Sequence, residues 1–283
     1  AIRPTPMRLA AEAEAPRPRL RDALLLGVMH GPAELLPISS SGHTTLVPWL
    51  LGLEYSELSA SDRKPIEIAL HAGTAAALTI SPPPSPITTA RGARGAALAA
   101  TTLLPTSLIG LAARKFVRTR LGTPMTVAIG LVAGSAALIA ADRSSGSRQA
   151  DSETLTDALL LGVAQSAALW PGVSRSTSML CSARALGFEA GDAARIARAG
   201  LIPAAAAATT LETVEIARSG ITTQEAAVIA VAAGSSFAST MLARPLVRVL
   251  ESGGTLKPWA AWRLLVAAAT ILRIRSLGKD RPR

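Results

Sequence analysis

Two stretches decide the architecture: Asp22–His43 (DALLLGVMHGPAELLPISSSGH) and Asp157–Ser178 (DALLLGVAQSAALWPGVSRSTS), which open with the same seven residues. They start 157 − 22 = 135 residues apart, about half of the 283-residue chain. After the shared run each carries a polar residue (His30, Gln165), a proline (Pro37, Pro171, one place out of step) and a serine-rich segment. That matching order of features reads as a duplication, with repeat 1 over about 22–141 and repeat 2 over about 157–273. Proline breaks a helix, and the glycines and serines beyond it permit a loop and an N-cap. Each copy therefore predicts a broken helix whose second half points backbone N–H groups into the break, the local structure that binds anions.

The rest of the chain supplies a setting for such breaks. Apolar residues make up 49% and the mean hydropathy is +0.36, richer than most soluble domains. Leu121–Ala141 and Ala226–Ala243 carry no charge, and Leu155–Ser174 carries only Asp157; a membrane-spanning helix needs roughly 20 mostly apolar residues. Alanine, threonine and glycine fill these intervals, and aromatics are only 3%, so an Ala-rich soluble helical bundle is the competing class. Further helices are expected over 66–80, 93–113, 123–141, 192–210, 224–243 and 259–272, separated by turns such as SPPPSP (Ser81–Pro86). Residues 1–21, rich in Pro and Arg and lacking an apolar core, read as a flexible tail. Residues 274–283 read as a basic tail.

A net charge of +10 raises nucleic acid as a partner. The basic residues instead form short clusters such as RKFVRTR (Arg114–Arg120) at the ends of apolar segments, which fits the positive-inside bias, and no nucleic-acid partner is expected. The single cysteine, Cys181, excludes an intramolecular disulfide and a Cys-based metal site; packing is its expected role.

ELLPISSSGH (Glu34–His43) and PGVSRS (Pro171–Ser176) resemble the two signatures of the undecaprenyl-diphosphate phosphatase family, the bacitracin-resistance type of bacterial membrane enzyme. The resemblance continues through PIEIALHAGTAAAL, GFEAGDAARIA, the proline of LIP and WAAWRLL, covering most of Asp22–Leu272 in order. It implies an all-α polytopic membrane protein of two inverted-topology repeats with re-entrant, broken helix pairs. The implied reaction is hydrolysis of undecaprenyl diphosphate to undecaprenyl phosphate and inorganic phosphate, which recycles the lipid carrier for cell-wall synthesis. It also implies a divalent cation, Mg²⁺ or Ca²⁺, a polyprenyl diphosphate lipid as substrate, and contact with membrane lipids. The expected location is the bacterial cytoplasmic (inner) membrane, multi-pass, with the site facing the outer side; a homodimer is compatible with it. Two positions depart from the pattern: His30 stands where the family carries the first glutamate of ExxxE, and Thr177 where a glycine usually follows SRS.

Cleaving a diphosphate calls for neutralisation of clustered charge, an in-line nucleophile and a proton for the leaving oxygen. Arg175 offers a planar fork suited to phosphate. Ser40 matches the family's candidate nucleophile, and serine needs a base within reach, which Glu34 or His43 could supply; His43 could equally take the phosphoryl group itself. Ser39, Ser41, Gly42, Ser174 and Ser176 are candidates for holding substrate phosphate, and Gln165 for a neutral hydrogen bond to it. Glu34 and His30, one helical turn apart, are the candidate metal ligands, although Mg²⁺ and Ca²⁺ prefer oxygen donors. His71 is read as a packing or helix contact, and Trp49, Trp170, Trp259 and Trp262 as interfacial or packing residues. A polyprenyl-phosphate binder or flippase without hydrolytic activity is the alternative function.

Overall fold

A computed structural model describes residues 17–80, 92–199 and 223–279. The SPPPSP turn, residues 200–210 of one expected helix with the proline of LIP, and the outer parts of both tails lie outside the described residues. Those described form helices joined by turns, with no strand beyond one isolated bridge between Arg148 and Phe188. The helices are α1 (Leu20–Leu35), α2 (Ser40–Leu51), α3 (Ala60–Ile80), α4 (Gly92–Arg120), α5 (Pro124–Asp142), α6 (Leu155–Gln165), α7 (Arg175–Ala185), α8 (190–199), α9 (Thr223–Glu251) and α10 (Lys257–Lys279). The chain begins its first helix inside the stretch expected as a tail. At the other end α10 carries the basic segment as helix through Lys279, because no breaker precedes Gly278 in its last turn.

The 135-residue offset governs the helices as well as the motifs. It separates the first residues of α1 and α6 (155 − 20 = 135) and of α2 and α7 (175 − 40 = 135). The same shift lays α4 over α9 and α5 over α10. Packing follows the duplication in a crossed manner: α1 lies along α9 from the other half, and α6 lies along α4 from the other half. The partners α5 and α10 pack on one another, with α5 also receiving α2 and α7. The break-containing pairs α1–α2 and α6–α7 are thus held between long helices.

Among the described residues, three helical stretches are long and apolar enough to cross a membrane: Gly92–Ala113, Pro124–Asp142 and Glu225–Glu251. On α4 the outward residues Leu104, Leu108 and Leu111 are exposed, an apolar face that hydrocarbon satisfies and water does not. The protein is an all-α, multi-pass membrane protein. The break helices are too short to span, at 16 and 12 residues for α1 and α2 and 11 each for α6 and α7; α1 and α6 bury one face and leave Leu24, Leu25 and Val28, and Leu159, Leu160 and Val163, exposed on the other.

Close backbone approach locks the second break onto α5. Gly172 has φ 100°, and a Cβ there would collide with the Val127 carbonyl on α5, so position and conformation both demand glycine. On the other side of the molecule, Thr154 caps α6 through a reciprocal pair. Its hydroxyl accepts the Asp157 N–H at 3.1 Å, and the Asp157 carboxylate accepts the Thr154 N–H at 2.9 Å. Asp157 also receives Arg148 at 2.7 Å, which holds its carboxyl down at about 2.

That loop, between α5 and α6 and outside the spanning helices, contains a pH-sensitive carboxylate. Burial, and next the neighbouring Asp157 charge, push Glu153 up to about 7 from an ordinary 4.5. A raised acid contributes stability below its unfolded pKa and loses it as pH rises through the folded value. Glu153→Gln should therefore raise the thermal midpoint in detergent at pH 8, and the gain should shrink as pH falls towards 4.5. An equal gain at both pH values would show that ionisation is not the cause.

Candidate active site

Both breaks end on the same backbone device. Among the described residues, Ser39 and Ser174 are the two non-glycine residues with left-handed φ, at 78° and 82°, and 174 − 39 = 135. Each is the N-cap of the helix that follows: Ser39 Oγ accepts the Gly42 N–H at 3.2 Å, and Ser174 Oγ accepts the Thr177 N–H at 3.3 Å. Each also pairs with the serine two residues on, Ser41 at 3.4 Å and Ser176 at 2.9 Å. A non-glycine residue in this region stores strain that its surroundings must hold. The first-turn N–H groups of α2 and α7, which have no intrahelical acceptors, are thereby aimed at one place.

That place is a cavity of about 310 Å³ lined by both motifs: Glu34, Ser39, Ser40 and Ser41 from the first, and Ser174, Arg175 and Ser176 from the second. The motifs meet directly where Arg175 Nη2 donates to Glu34 Oε1 at 2.8 Å. Ser40, the first residue of α2, lies against the same carboxylate. The breaks are also stitched together from behind. Ser176 Oγ donates to the Leu36 carbonyl at 3.3 Å, and Thr177 Oγ1 to that of Pro37 at 3.0 Å. The threonine that replaces the family's glycine is therefore part of the seam.

Several expected residues stand away from the cavity. Gly42 is packed against Leu131 and Gly172, so it permits contact between the breaks instead of facing a ligand. Gln165 turns to α4, its Nε2 donating to Thr106 Oγ1 at 3.3 Å. His43 is buried with both ring nitrogens engaged: Nδ1 lies 2.8 Å from the Ser39 carbonyl, and Nε2 accepts the indole N–H of Trp262 at 2.7 Å. Indole only donates and carbonyl only accepts, which fixes the neutral Nδ1–H tautomer and leaves neither a proton nor a lone pair for a ligand. His43 thus holds the backbone of the strained serine, and Trp262, read from sequence as packing or interfacial, holds His43.

Three residues of α3 join the site without having been singled out for it. Lys64, Glu67 and His71 line the cavity, and their spacing of three and four residues puts them on one helical face. The Glu67 carboxylate accepts the Tyr55 hydroxyl at 3.1 Å. His71, expected as packing, sits with its ring centroid 4.7 Å from that of His30. The other missed residue is Arg263 of α10, fully buried. It donates to the Pro37 carbonyl at 3.0 Å and to Thr177 Oγ1 at 2.8 Å. A second nitrogen donates to the Gly172 and Val173 carbonyls at 2.7 and 3.1 Å. A charged residue inside an apolar helix was the available signal.

The donor set bears on the expected Mg²⁺ or Ca²⁺. One Glu34 oxygen is taken by Arg175, leaving one carboxylate oxygen and the imidazoles of His30 and His71. Those hard cations want six or more oxygens, from protein or water, and this set does not match them.

A family model described as "Bacitracin resistance protein BacA" matches residues 23–269. The chain belongs to the BacA family. Relatives named undecaprenyl-diphosphatase share its length. That of Solidesulfovibrio magneticus is 31% identical over 260 residues, covering 87% of this chain and 95% of its own. That of Geobacter sulfurreducens is 33% identical over 267 residues, covering 88% and 96%, and that of Rubrobacter xylanophilus is 31% identical over 265 residues, covering 88% and 96%. The cavity between the two breaks is thus carried by a BacA chain matched over nearly all of its described helices.

Proposed function

We propose that this BacA protein hydrolyses undecaprenyl diphosphate to undecaprenyl phosphate and inorganic phosphate, and so returns the lipid carrier to cell-wall synthesis. The observation that carries the reading is the Glu34–Arg175 pair at the mouths of two inward-pointing helix N-termini: a fork for phosphate beside a carboxylate and a serine. The terminal phosphate takes Arg175 from Glu34, exchanging one ion pair for a bidentate one. First-turn N–H groups of α2 and α7 and the hydroxyls of Ser39, Ser41 and Ser174 receive the remaining phosphate oxygens, while Ser176 keeps its proton on the Leu36 carbonyl and Lys64 adds positive charge.

Released from Arg175, Glu34 takes the Ser40 proton. Ser40 Oγ forms a bond to the terminal phosphorus as the bond to the bridging oxygen breaks, and the prenyl monophosphate departs with its electron pair. Water, deprotonated by the same Glu34 after it has passed its first proton to the leaving phosphate or to solvent, then attacks the phosphorus; the P–Oγ bond breaks, Glu34 returns the proton to Ser40 Oγ, and inorganic phosphate leaves. His43, with both nitrogens spent, positions the Ser39–Ser40 backbone. The repeats are read as inverted in the cytoplasmic membrane, an arrangement that brings like helix breaks together from opposite sides. The cavity is read as opening to the outer face, where a diphosphate lipid would be met.

Ser40→Ala is the direct test. Phosphate release from a long-chain prenyl diphosphate should fall by about 10²-fold or more, as loss of a positioned nucleophile demands. Quenched turnover should trap phosphate on serine, which survives acid, rather than on histidine, which does not. Acid-labile label, or full activity in Ser40→Ala, would transfer the role to His43. Tight lipid binding with no release in the parent chain would favour a binder or flippase.

A further inference from the structure

The replacement of the family's first glutamate by His30 does more than remove an oxygen donor. Among the described residues, His30, Glu34 and His71 are the one group of three potential ligands whose donor atoms all lie within 4.8 Å of one another. His30 Nε2 is 4.0 Å from Glu34 Oε2. That oxygen is buried and has no hydrogen-bond partner in a side chain 7% exposed, an arrangement that costs free energy unless something occupies it. We propose that His30, Glu34 and His71 form a two-imidazole, one-carboxylate site for a borderline first-row divalent ion such as Zn²⁺, in preference to Mg²⁺ or Ca²⁺. The proposal deepens the phosphatase reading, since the ion would share its cavity.

Proton accounting behind His30 supports a ligating role. Ser236 spends its proton on the Leu70 carbonyl at 2.7 Å, and Thr240 spends its own on the Ser236 carbonyl at 2.7 Å. Thr74 Oγ1 then has three acceptors in reach: Ser236 Oγ at 2.9 Å, Thr240 Oγ1 at 3.1 Å and His30 Nδ1 at 3.1 Å. When its proton goes to either hydroxyl, His30 Nδ1 is the donor to Thr74 or to Ser236, which lies 3.2 Å away. In that arrangement the lone pair resides on Nε2, on the side of Glu34. Metal-binding histidines are oriented in this way, by an N–H held from behind. Imidazole suits Zn²⁺, Ni²⁺, Cu²⁺ and Fe²⁺ far better than Mg²⁺ or Ca²⁺. Closing the three donors to roughly 2.0–2.2 Å from one ion requires a contraction of about 1 Å, within reach of side-chain adjustment because His71 borders an open cavity.

The chain has only three histidines, and His43 has no nitrogen to spare, so imidazole ligation has one source. The untagged, metal-stripped chain in detergent is titrated with Co²⁺, followed by its visible absorption, and then challenged with Zn²⁺, Mg²⁺ and Ca²⁺. One Co²⁺ per chain should bind and be displaced by Zn²⁺ at concentrations at least ~10-fold below those needed of Mg²⁺ or Ca²⁺. His71→Ala should weaken Co²⁺ by roughly tenfold or more, and His30→Glu should move the preference towards Mg²⁺ and Ca²⁺. His43→Gln should keep the Co²⁺ spectrum. Absence of Co²⁺ binding by chain shown folded by circular dichroism, equal displacement by Mg²⁺, or an unchanged His71→Ala titration would overturn the proposal. If His71→Ala does not fold, the preference of His30→Glu decides. Binding is read without substrate, so a chain that binds Co²⁺ yet releases no phosphate counts against the phosphatase reading alone. One that hydrolyses without binding Co²⁺ counts against the metal site alone.

Discussion

Arg175→Ala is expected to lower phosphate release from a long-chain prenyl diphosphate by about 10³-fold or more, the scale seen when an arginine or fixed donor is removed from a phosphoryl- or acyl-transfer site. Arg175 is partly exposed, with its side chain at 29%, and it donates to Glu34 across the cavity. Its loss removes no packing that the helices need, and the Glu34 carboxylate it leaves borders the cavity, where it takes up water or a proton, so the thermal midpoint should move little. Arg175→Lys should recover less than a tenth of the activity, because a point charge cannot replace a planar fork that must leave Glu34 and grip phosphate through two nitrogens. The measurements are steady-state kinetics and thermal unfolding on the same detergent preparations. A lysine variant with near-parental kcat would show that charge suffices and remove the geometric argument. A large fall in the midpoint would make the Glu34–Arg175 pair structural.

The duplication was readable because two physical requirements repeat with it. A buried break needs proline to stop one helix and a serine to cap the next, and both requirements leave marks in sequence at Pro37–Ser39 and Pro171–Ser174. The identity of Asp22–Val28 and Asp157–Val163 gave the offset that α4 and α9, and α5 and α10, then follow. What sequence could not convey is which neighbours each side chain finds. His30 and Gln165 occupy equivalent places, yet one joins a titratable cluster and the other faces α4, because the helix packed on each differs in chemistry: Thr74 and Ser236 at one, Thr106 at the other. His43 looked available beside the serines until Trp262, 219 residues away, accounted for its second nitrogen. Lys64, Glu67 and His71 were legible as one face of a helix, but periodicity does not say what a face looks upon.

Arg263→Met should cost the fold roughly 4 kcal/mol, with the Gly172 and Val173 carbonyls orphaned at about 1–3 kcal/mol each and Pro37 left with Thr177 alone. Replacing a buried ion pair by apolar residues is often neutral, because both charges leave together. Here only the donor leaves. The acceptors left bare are the backbone carbonyls of Gly172 and Val173, which no side-chain substitution removes and which a membrane interior offers no water to satisfy. The guanidinium also fills the notch at Gly134, where a Cβ would collide with it, so methionine leaves unfilled space beside α5. Because one arginine bonds both breaks, its loss should loosen the strained backbone at Ser39 and Ser174 together and abolish activity along with stability. The expected readings are a fall of the thermal midpoint by many degrees, poor recovery of monodisperse protein, and phosphate release below detection. Arg263→Lys should restore only part of this, since one ammonium cannot reach carbonyls on both sides of α10. A methionine variant that melts with the parent chain would mean that the breaks are held by the Thr177–Pro37 and Ser176–Leu36 bonds alone, and that the serine conformations need no clasp.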